Sequence, residues 1–307
     1  MRVADTGLRE ASLLIQRELG DAEASVAYLR WWYFGNPSGH CPIYAYKDGA
    51  DFSALATING FRFSMNGRSK LVGMPQKVLV ARVLRGQGVF GALYGATEMA
   101  SRDEGSDFFL TFTNAASTPI FLGKFGYVRG TAPDTLVIPF NPLAFLRPRR
   151  YKRVDRPSDA FLSTGFFRFD NAVEKTADYL RWRYHSRQPE QYTILEVPAD
   201  GGSTAGYLYL KKISKKGIPI HLLMDVAARA EDDMPLLLSQ ASAYSSRHGA
   251  AAMLAFSSPP IDEALGATLH KRIAGRFNFL VKGKDAAETA ALASTRFCFS
   301  FGDLDFI

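Results

Sequence analysis

Val80-Ala81-Arg82-Val83-Leu84-Arg85-Gly86-Gln87-Gly88-Val89-Phe90-Gly91-Ala92-Leu93 joins a short apolar strand, Gln76 to Val80, to a helix. In that helix Val89, Ala92, Leu93, Ala96, Met99 and Ala100 recur at helical spacing. Gly86 and Gly88 allow the backbone to come close to a ligand where a side chain would obstruct it. The first amides of a helix have no intrahelical acceptor, and they sit at the positive end of its dipole. The loop therefore reads as a pyrophosphate site, to which Arg85 adds a charge-assisted hydrogen bond. The competing reading is a tight structural turn. No Lys-Ser or Lys-Thr follows the glycines, which excludes the nucleoside-triphosphate loop. Gly86, Gly88 and Gly91 match the spacing of the dinucleotide fingerprint. That fold, however, sets its loop after the first strand of repeated parallel βαβ units, and here an antiparallel-looking meander comes first.

Outward from the loop, Arg9 to Leu19 and Glu23 to Tyr33 read as helices. Pro42 to Tyr46 and Ala54 to Phe63 read as strands, the second interrupted near Asn59-Gly60. Downstream come a strand from Asp107 to Thr113, a short helix from Ser117 to Lys124 and a strand from Thr135 to Phe140 that closes the half. The helix tolerates Pro119 in its first turn. This order predicts a mixed α/β layered domain.

Tyr28-Leu29-Arg30-Trp31-Trp32-Tyr33 recurs as Tyr179-Leu180-Arg181-Trp182-Arg183-Tyr184, 151 residues later, with Pro37 and Pro189 shortly after each copy. An offset of half the chain predicts two copies of one fold. The expected organisation is domain 1–145, a Pro- and Arg-rich linker 146–158, and domain 159–307. In the second copy, strands are expected at Gln191–Val197, Gly206–Lys212 and Pro219–Asp225, with a hairpin turn at Lys215-Lys216-Gly217. Helices at Met234–Arg247 and Asp262–Arg272 flank a strand at Ala251–Phe256. Phe277–Lys282 and Arg296–Phe301 close the copy as strands around a helix at Ala286–Leu292. The aromatic signatures read as core packing, with substrate lining as the rival role.

The strand, the Arg-Gly-x-Gly-Val loop and the long helix from Val78 to Leu93 resemble the GCN5-related N-acetyltransferase superfamily. So do the later strand, Asn114 and Lys124-Phe125-Gly126-Tyr127. The likeness covers roughly residues 5–140. With the repeat, the chain resembles a tandem member whose second copy has lost the glycine loop: Val226 to Asp233 holds no glycine and three acids, which would repel a pyrophosphate.

The resemblance implies a mixed α/β fold in two tandem acyl-CoA N-acyltransferase domains, with acetyl-CoA as donor. It implies cofactor contacts from Leu79, Val80, Arg85, Gly86, Gln87, Gly88, Val89, Phe90, Gly91 and Asn114. A backbone amide near Leu79 to Ala81 would polarise the thioester carbonyl. The sequence departs from the family pattern in carrying Leu122 where many members have an acid tyrosine. Lys77 to Ala81 also holds no carboxylate or histidine. Asn114 and His40 are the candidate catalytic residues, with turning the chain and an exposed loop position as their bland alternatives. His221 and Asp225, on a strand of the second half that could face an interdomain cleft, are further candidates, with a structural role as the alternative.

Hydrophobic residues make up 47% and charged residues 22%, which fits a soluble globular protein. The N-terminus lacks the apolar core of a signal peptide, and no run approaches a membrane span. Cys41 and Cys298 form neither a disulfide framework nor a zinc-spaced cluster, so no metal is expected. The implied location is cytoplasmic. The net charge is +7, yet Arg147 to Arg156 holds six Arg or Lys against one Asp, so most of the excess lies in ten residues. That concentration argues against specific DNA binding. It leaves a solvated linker, an anionic surface or the nucleotide end of a cofactor as its role. The reading is transfer of an acetyl group to the amine of a small molecule. Its alternatives are a longer acyl-CoA, an acyl carrier protein or an aminoacyl-tRNA as donor, or a CoA-binding regulatory module without turnover. Acceptor and oligomeric state are not legible.

Overall fold

The computed structural model describes residues 1–146, 148–186, 191–266, 268–275 and 277–304. Pro189 and Arg147 lie outside the described residues. The chain forms two compact units, Met1–Thr131 with Phe277–Thr295, and Ala132–Arg276 with Arg296–Ile307.

In the first unit, helix α1 (Leu8–Leu19) and the short α2 (Val26–Leu29) precede β1 (Ile43–Asp48), β2 (Asp51–Met65) and β3 (Arg68–Val80). Then follow α3 (Val89–Asp103), β4 (Phe108–Thr113), α4 (Thr118–Lys124) and β5 (Val128–Arg129). The sheet runs β1-β2-β3-β4-β14-β5, where β14 (Asn278–Lys282) and α9 (Ala286–Ser294) come from the end of the sequence. All pairs on this path are antiparallel except β3 with β4. Unbroken burial from Ala54 to Phe61 shows that both faces of β2 are covered, and α1 and α3 both pack on it.

Three expectations change here. Asn59-Gly60 does not interrupt β2. Both residues are buried in mid-strand, where His40 lies against Gly60 too closely for a side chain. The true turn is Asn66-Gly67, with φ of 51° and 70°, the pair of left-handed residues a two-residue hairpin needs. Consequently β3 starts at Arg68 rather than Gln76. The first aromatic signature is only partly α-helical: α2 passes into a single π-helical turn over Arg30–Phe34.

The second unit has the sheet order β13-β6-β12-β11-β10-β9-β7. Its strands are β6 (Thr135–Pro139), β7 (Lys152–Val154), β9 (Tyr192–Pro198), β10 (Thr204–Lys215), β11 (Ile218–Ala228), β12 (Ala252–Phe256) and β13 (Lys271–Ile273). The hairpin at Lys216-Gly217 forms as expected, with φ of 52° and 79°. Helices α5 (Asp159–Ser163), α6 (Ala177–His185), α7 (Met234–Arg247) and α8 (Pro259–Leu265) complete the unit, with a short strand β8 (Ala172–Val173). The second signature is a regular α-helix, capped by the Thr176 hydroxyl. In both copies the aromatic residues are mostly core: Tyr28, Trp32, Tyr33, Tyr179, Trp182 and Tyr184 are all buried.

The expected boundaries at 145 and 159 need correction, because each half lends its last strand to the other unit. β6 pairs antiparallel with β12 in the second sheet, and β14 pairs antiparallel with β4 in the first. Leu136 and Ile138, like Phe279 and Leu280, are buried in the sheets they join, and the apolar pattern of these short strands carries no mark of which sheet each pairs with. The segment 146–158 is not a free linker either: Lys152–Val154 is the edge strand beside β9. The helix expected over Asp262–Arg272 stops at Leu265 before Gly266, and Lys271–Ile273 joins the sheet. Arg296–Phe301 is not a strand. It makes one isolated bridge, Cys298 to Ala172, and ends in a 3-10 turn, Phe301–Asp303. Among the described residues, no helix is long and apolar enough to cross a membrane.

Candidate functional site

β3 and β4 run parallel and share a ladder only at Val72–Phe108 and Gly73–Phe109. Pro75 then has no amide to give, and only its carbonyl is used, by the Thr111 hydroxyl at 3.1 Å. Two residues on, Lys77 sits at φ 47° where the β2–β3 register slips between Leu55 and Thr57. A bulge of this kind bends its strand. Beyond it β3 and β4 share no further ladder pair, and this unpaired stretch is the cleft of the candidate site; Val78, Phe90, Leu122 and Phe125 pack beside it on the buried cluster of Tyr94, Phe109 and Phe121.

The glycine loop stands at the end of β3. A 3-10 turn, Arg82–Leu84, anchors it through buried Leu84, which packs with Val80, Val89 and Leu93. Gly86 (φ 83°) and Gly88 (φ 81°) are left-handed, and a Cβ at either, or at Gly91, would meet nothing within 4 Å. Gly88 caps α3, and the first intrahelical bond is from the Ala92 amide to the Gly88 carbonyl, 3.2 Å. The amides of Val89, Phe90 and Gly91 therefore face outward from an open, positively polarised helix end. This arrangement fits a pyrophosphate.

The flanking candidates have these surroundings. The Ala81 amide donates to the Ser53 carbonyl at 2.8 Å, so the alternation of an antiparallel ladder turns Leu79 toward β2 and Val80 toward the cleft. Val80 is then the amide of the three that can reach a carbonyl in the cleft. Arg85 is exposed, but its guanidinium is engaged: Nε donates to the Val80 carbonyl at 3.2 Å, and Nη2 lies 3.8 Å from Glu18. Gln87 folds back onto the Val83 carbonyl, 2.9 Å. The Phe90 ring joins the α3–α4 aromatic cluster, so its contribution to the loop is its amide. Asn114 turns the chain into α4: its Oδ1 accepts from the amides of Ala116 (3.0 Å) and Ser117 (2.9 Å).

His40 does not belong to this site. It is buried, with Nε2 3.3 Å from the hydroxyls of Ser101 and Ser106 and Nδ1 3.4 Å from Glu104. Ser101 lies twelve residues along α3 from Val89, roughly 18 Å from the loop at helical rise. Burial holds the imidazole below its usual range, with Glu104 pulling the other way. The neutral ring is favoured in the folded state. Its contribution to stability is therefore present above an unfolded value of about 6.5 and fades as pH falls through the depressed folded one. Replacement of His40 by Ala is expected to lower unfolding free energy by about 1–3 kcal/mol and to leave CoA affinity within about twofold. Denaturant melts and calorimetry on the variant check both, and a collapse of CoA affinity in a folded variant would return His40 to the site.

His221 and Asp225 are likewise internal to the second unit. His221 is bonded to Ser245 at 3.1 Å, with burial pushing it down to about 4. Asp225 is buried against Lys175 at 2.9 Å.

Two features at the β3 end have no sequence signal. Asp21, from the α1–α2 loop, pairs with Lys77 on the bulge at 2.7 Å, and Glu18 on α1 reaches Arg85. Trp32 Nε1 donates to Gln76 Oε1 at 2.7 Å, so the aromatic signature braces the strand just before the bulge. Partners 44 and 56 residues apart share no motif.

The second unit repeats the frame without the loop. β11 and β12 pair in parallel only from Ile220–Ala252 to Leu222–Leu254, and the β10–β11 register slips between Tyr209 and Leu210. In place of glycines, a 3-10 turn of Glu231–Asp233 leads into α7. Asp233 accepts from the Ala230 amide at 3.1 Å, and Pro235 offers no amide.

No family model matches the sequence, and no curated protein matches it. Solved structures do match the fold. A GCN5-related N-acetyltransferase from Kribbella flavida is 17% identical over 96% of this chain and 72% of its own, with a TM-score of 0.67. A probable N-acyltransferase from Enterococcus faecalis V583 is 12% identical over 92% and 72%, also at 0.67. A tandem GNAT protein from the clavulanic acid biosynthesis pathway is 16% identical over 93% and 98%, at 0.55. With two sheets of matching strand order, each with one short parallel ladder and a register shift, the chain has the GCN5-related N-acetyltransferase fold in two tandem copies.

Proposed function

We propose that the first unit binds acetyl-CoA and transfers the acetyl group to the amine of a small molecule. The observation that carries this is the open Gly86–Gly91 helix start at the mouth of the β3–β4 cleft. Bound there, the donor supplies an activated thioester. The chain's part is to hold the pyrophosphate on the amides of Val89 to Gly91 and to offer the Val80 amide to the carbonyl oxygen. In the transfer, the amine nitrogen bonds to the acyl carbon, the carbon–sulfur bond breaks, and the proton shed by nitrogen ends on the departing thiolate. Among the described residues, the carboxylates reaching the β3 end are Glu18 and Asp21, both ion-paired, and Leu122 offers no acid. Positioning then supplies most of the acceleration.

The same observation favours a second reading, a CoA-binding module without turnover. Thermal shift with CoA and acetyl-CoA, followed by an amine panel read by thiol release, separates them. Binding with release for an amine supports transfer; binding with none across the panel supports the module; no binding defeats both.

Donor length follows from the bulk of the side chains expected beside the acyl group. Leu79 and Phe121 are buried and Leu122 and Phe125 partly so, all bulky. Acetyl-CoA is expected to turn over faster than decanoyl-CoA. Tighter binding and faster turnover of decanoyl-CoA would reverse the assignment.

We also propose that the second unit binds no CoA. Its helix start presents acids and a proline where the first presents glycine amides.

A further inference from the structure

The second unit carries an exposed apolar turn. The 3-10 turn Pro142–Leu146 rests on α7 through its smallest side chain: Ala144 is buried and its carbonyl accepts from Arg247 at 2.6 Å. The large residues point outward instead. Leu143 and Phe145 are each 59% exposed and Leu146 82%, with the Phe140 ring 6.3 Å from that of Phe145. Together they present on the order of a few hundred Å² of apolar surface, the size at which a patch calls for a partner. The turn is held in place on both sides, since the Asn141 amide bonds to Ser246 at 3.0 Å and the Arg150 amide to Gln240 at 3.0 Å.

Cations follow directly. Arg149 lies over the Tyr151 ring at 4.9 Å, while Lys152 and Arg153 are exposed on the edge strand β7. Arg150 and Lys152 pair with Asp200 and Glu196; no carboxylate partner is found for Arg149 or Arg153 among the described residues. We infer that this turn docks on an anionic bilayer surface, with Leu143, Phe145 and Leu146 entering the headgroup boundary and Arg149 and Arg153 facing the lipid phosphates. The alternatives fit less well. A second copy meeting this patch about a two-fold axis would set its arginines against themselves. A nucleic acid has use for the cations but none for two exposed leucines.

The test is co-sedimentation of the full chain with vesicles of phosphatidylcholine, alone or with about a third phosphatidylserine. Binding is expected to be at least tenfold tighter to the anionic vesicles and to fall steeply by about 0.5 M salt. Phe145→Ser with Leu146→Ser, and separately Arg149→Glu with Arg153→Glu, should each lower it tenfold or more. An unchanged circular-dichroism spectrum and a melting temperature within a few degrees of the natural protein's report that these surface variants remain folded. Equal partition onto neutral and anionic vesicles, or none at low salt, overturns the proposal. So does a dimer that the Leu146→Ser variant dissolves, which would give the patch to a second copy. Duplex DNA binding that survives loss of Phe145 and Leu146, in the absence of vesicle binding, would give the cations to nucleic acid.

Discussion

Gly88→Glu is expected to weaken CoA binding by about a hundredfold or more. At φ 81° any residue with a Cβ is strained, by about 1–2 kcal/mol. The added carboxylate also stands at the helix start proposed to hold the pyrophosphate. Losing two charge-assisted bonds at about 1.5–3 kcal/mol each is enough for that factor. The side chain would project into open space, so the core of the unit is untouched and the variant should fold. Arg85→Ala should cost much less, because the guanidinium is already turned to the Val80 carbonyl and Glu18 while the amides remain. Neutralising Glu231, Asp232 and Asp233 should leave affinity nearly unchanged. Isothermal titration of the intact chain should give one CoA per chain. Normal affinity in the Gly88→Glu protein, or a stoichiometry near two, would refute the placement of the site.

The loop was legible because its chemistry is local. Glycines at positive φ, an unpartnered helix start and a preceding strand all lie within fourteen residues, and the structure keeps them in that order. The tandem copies were legible through one aromatic signature, since buried Trp and Tyr at helical spacing tolerate little exchange. Even there, Arg183 stands in the repeat where Trp32 stands in the first copy, and it is buried with Nε on the Gly302 carbonyl at 2.7 Å. What pattern could not show was pairing across long separations. β6 and β14 are short apolar strands whose pattern names no partner, and the end of the β3–β4 ladder at Gly73, followed by Pro75 and the bulge at Lys77, appears only once β4 lies alongside. His40 looked like an exposed loop residue because its burial is produced by Gly60, Ser101 and Ser106, none adjacent to it in sequence.

The same limit hid the most highly charged part of the second unit's interior. Lys175, Asp225 and Asp303 meet there although 50 and 128 residues separate Lys175 from its partners. The ammonium lies 2.9 Å from Asp225 and 3.0 Å from the Ser300 hydroxyl, and pairs with Asp303. The Tyr179 hydroxyl donates to Asp303 at 3.0 Å, and Tyr184 donates to Asp225. Asp303 is wholly inaccessible to solvent and Asp225 nearly so. Lys175→Met would leave two carboxylates buried without their counter-ion, a change expected to remove about 3–5 kcal/mol of stability. That is a large fraction of the roughly 5–15 kcal/mol that holds a domain together. Burial raises the Asp225 carboxyl above its usual range, against the pull of Lys175. Without the lysine the upward shift must grow, so the folded variant takes up protons more readily than the unfolded chain. The contribution of this carboxyl to stability should be greatest below the unfolded value of about 3.9 and decline as pH rises through the raised folded one. The deficit relative to the natural protein is therefore expected to shrink between pH 7 and pH 5, as read from urea denaturation at both. Adding Asp225→Asn and Asp303→Asn to Lys175→Met should restore part of the loss by removing the stranded charge. A single variant within about 1 kcal/mol of the natural protein, or a deficit that widens on acidification, would show that the three side chains do not share a buried charge balance.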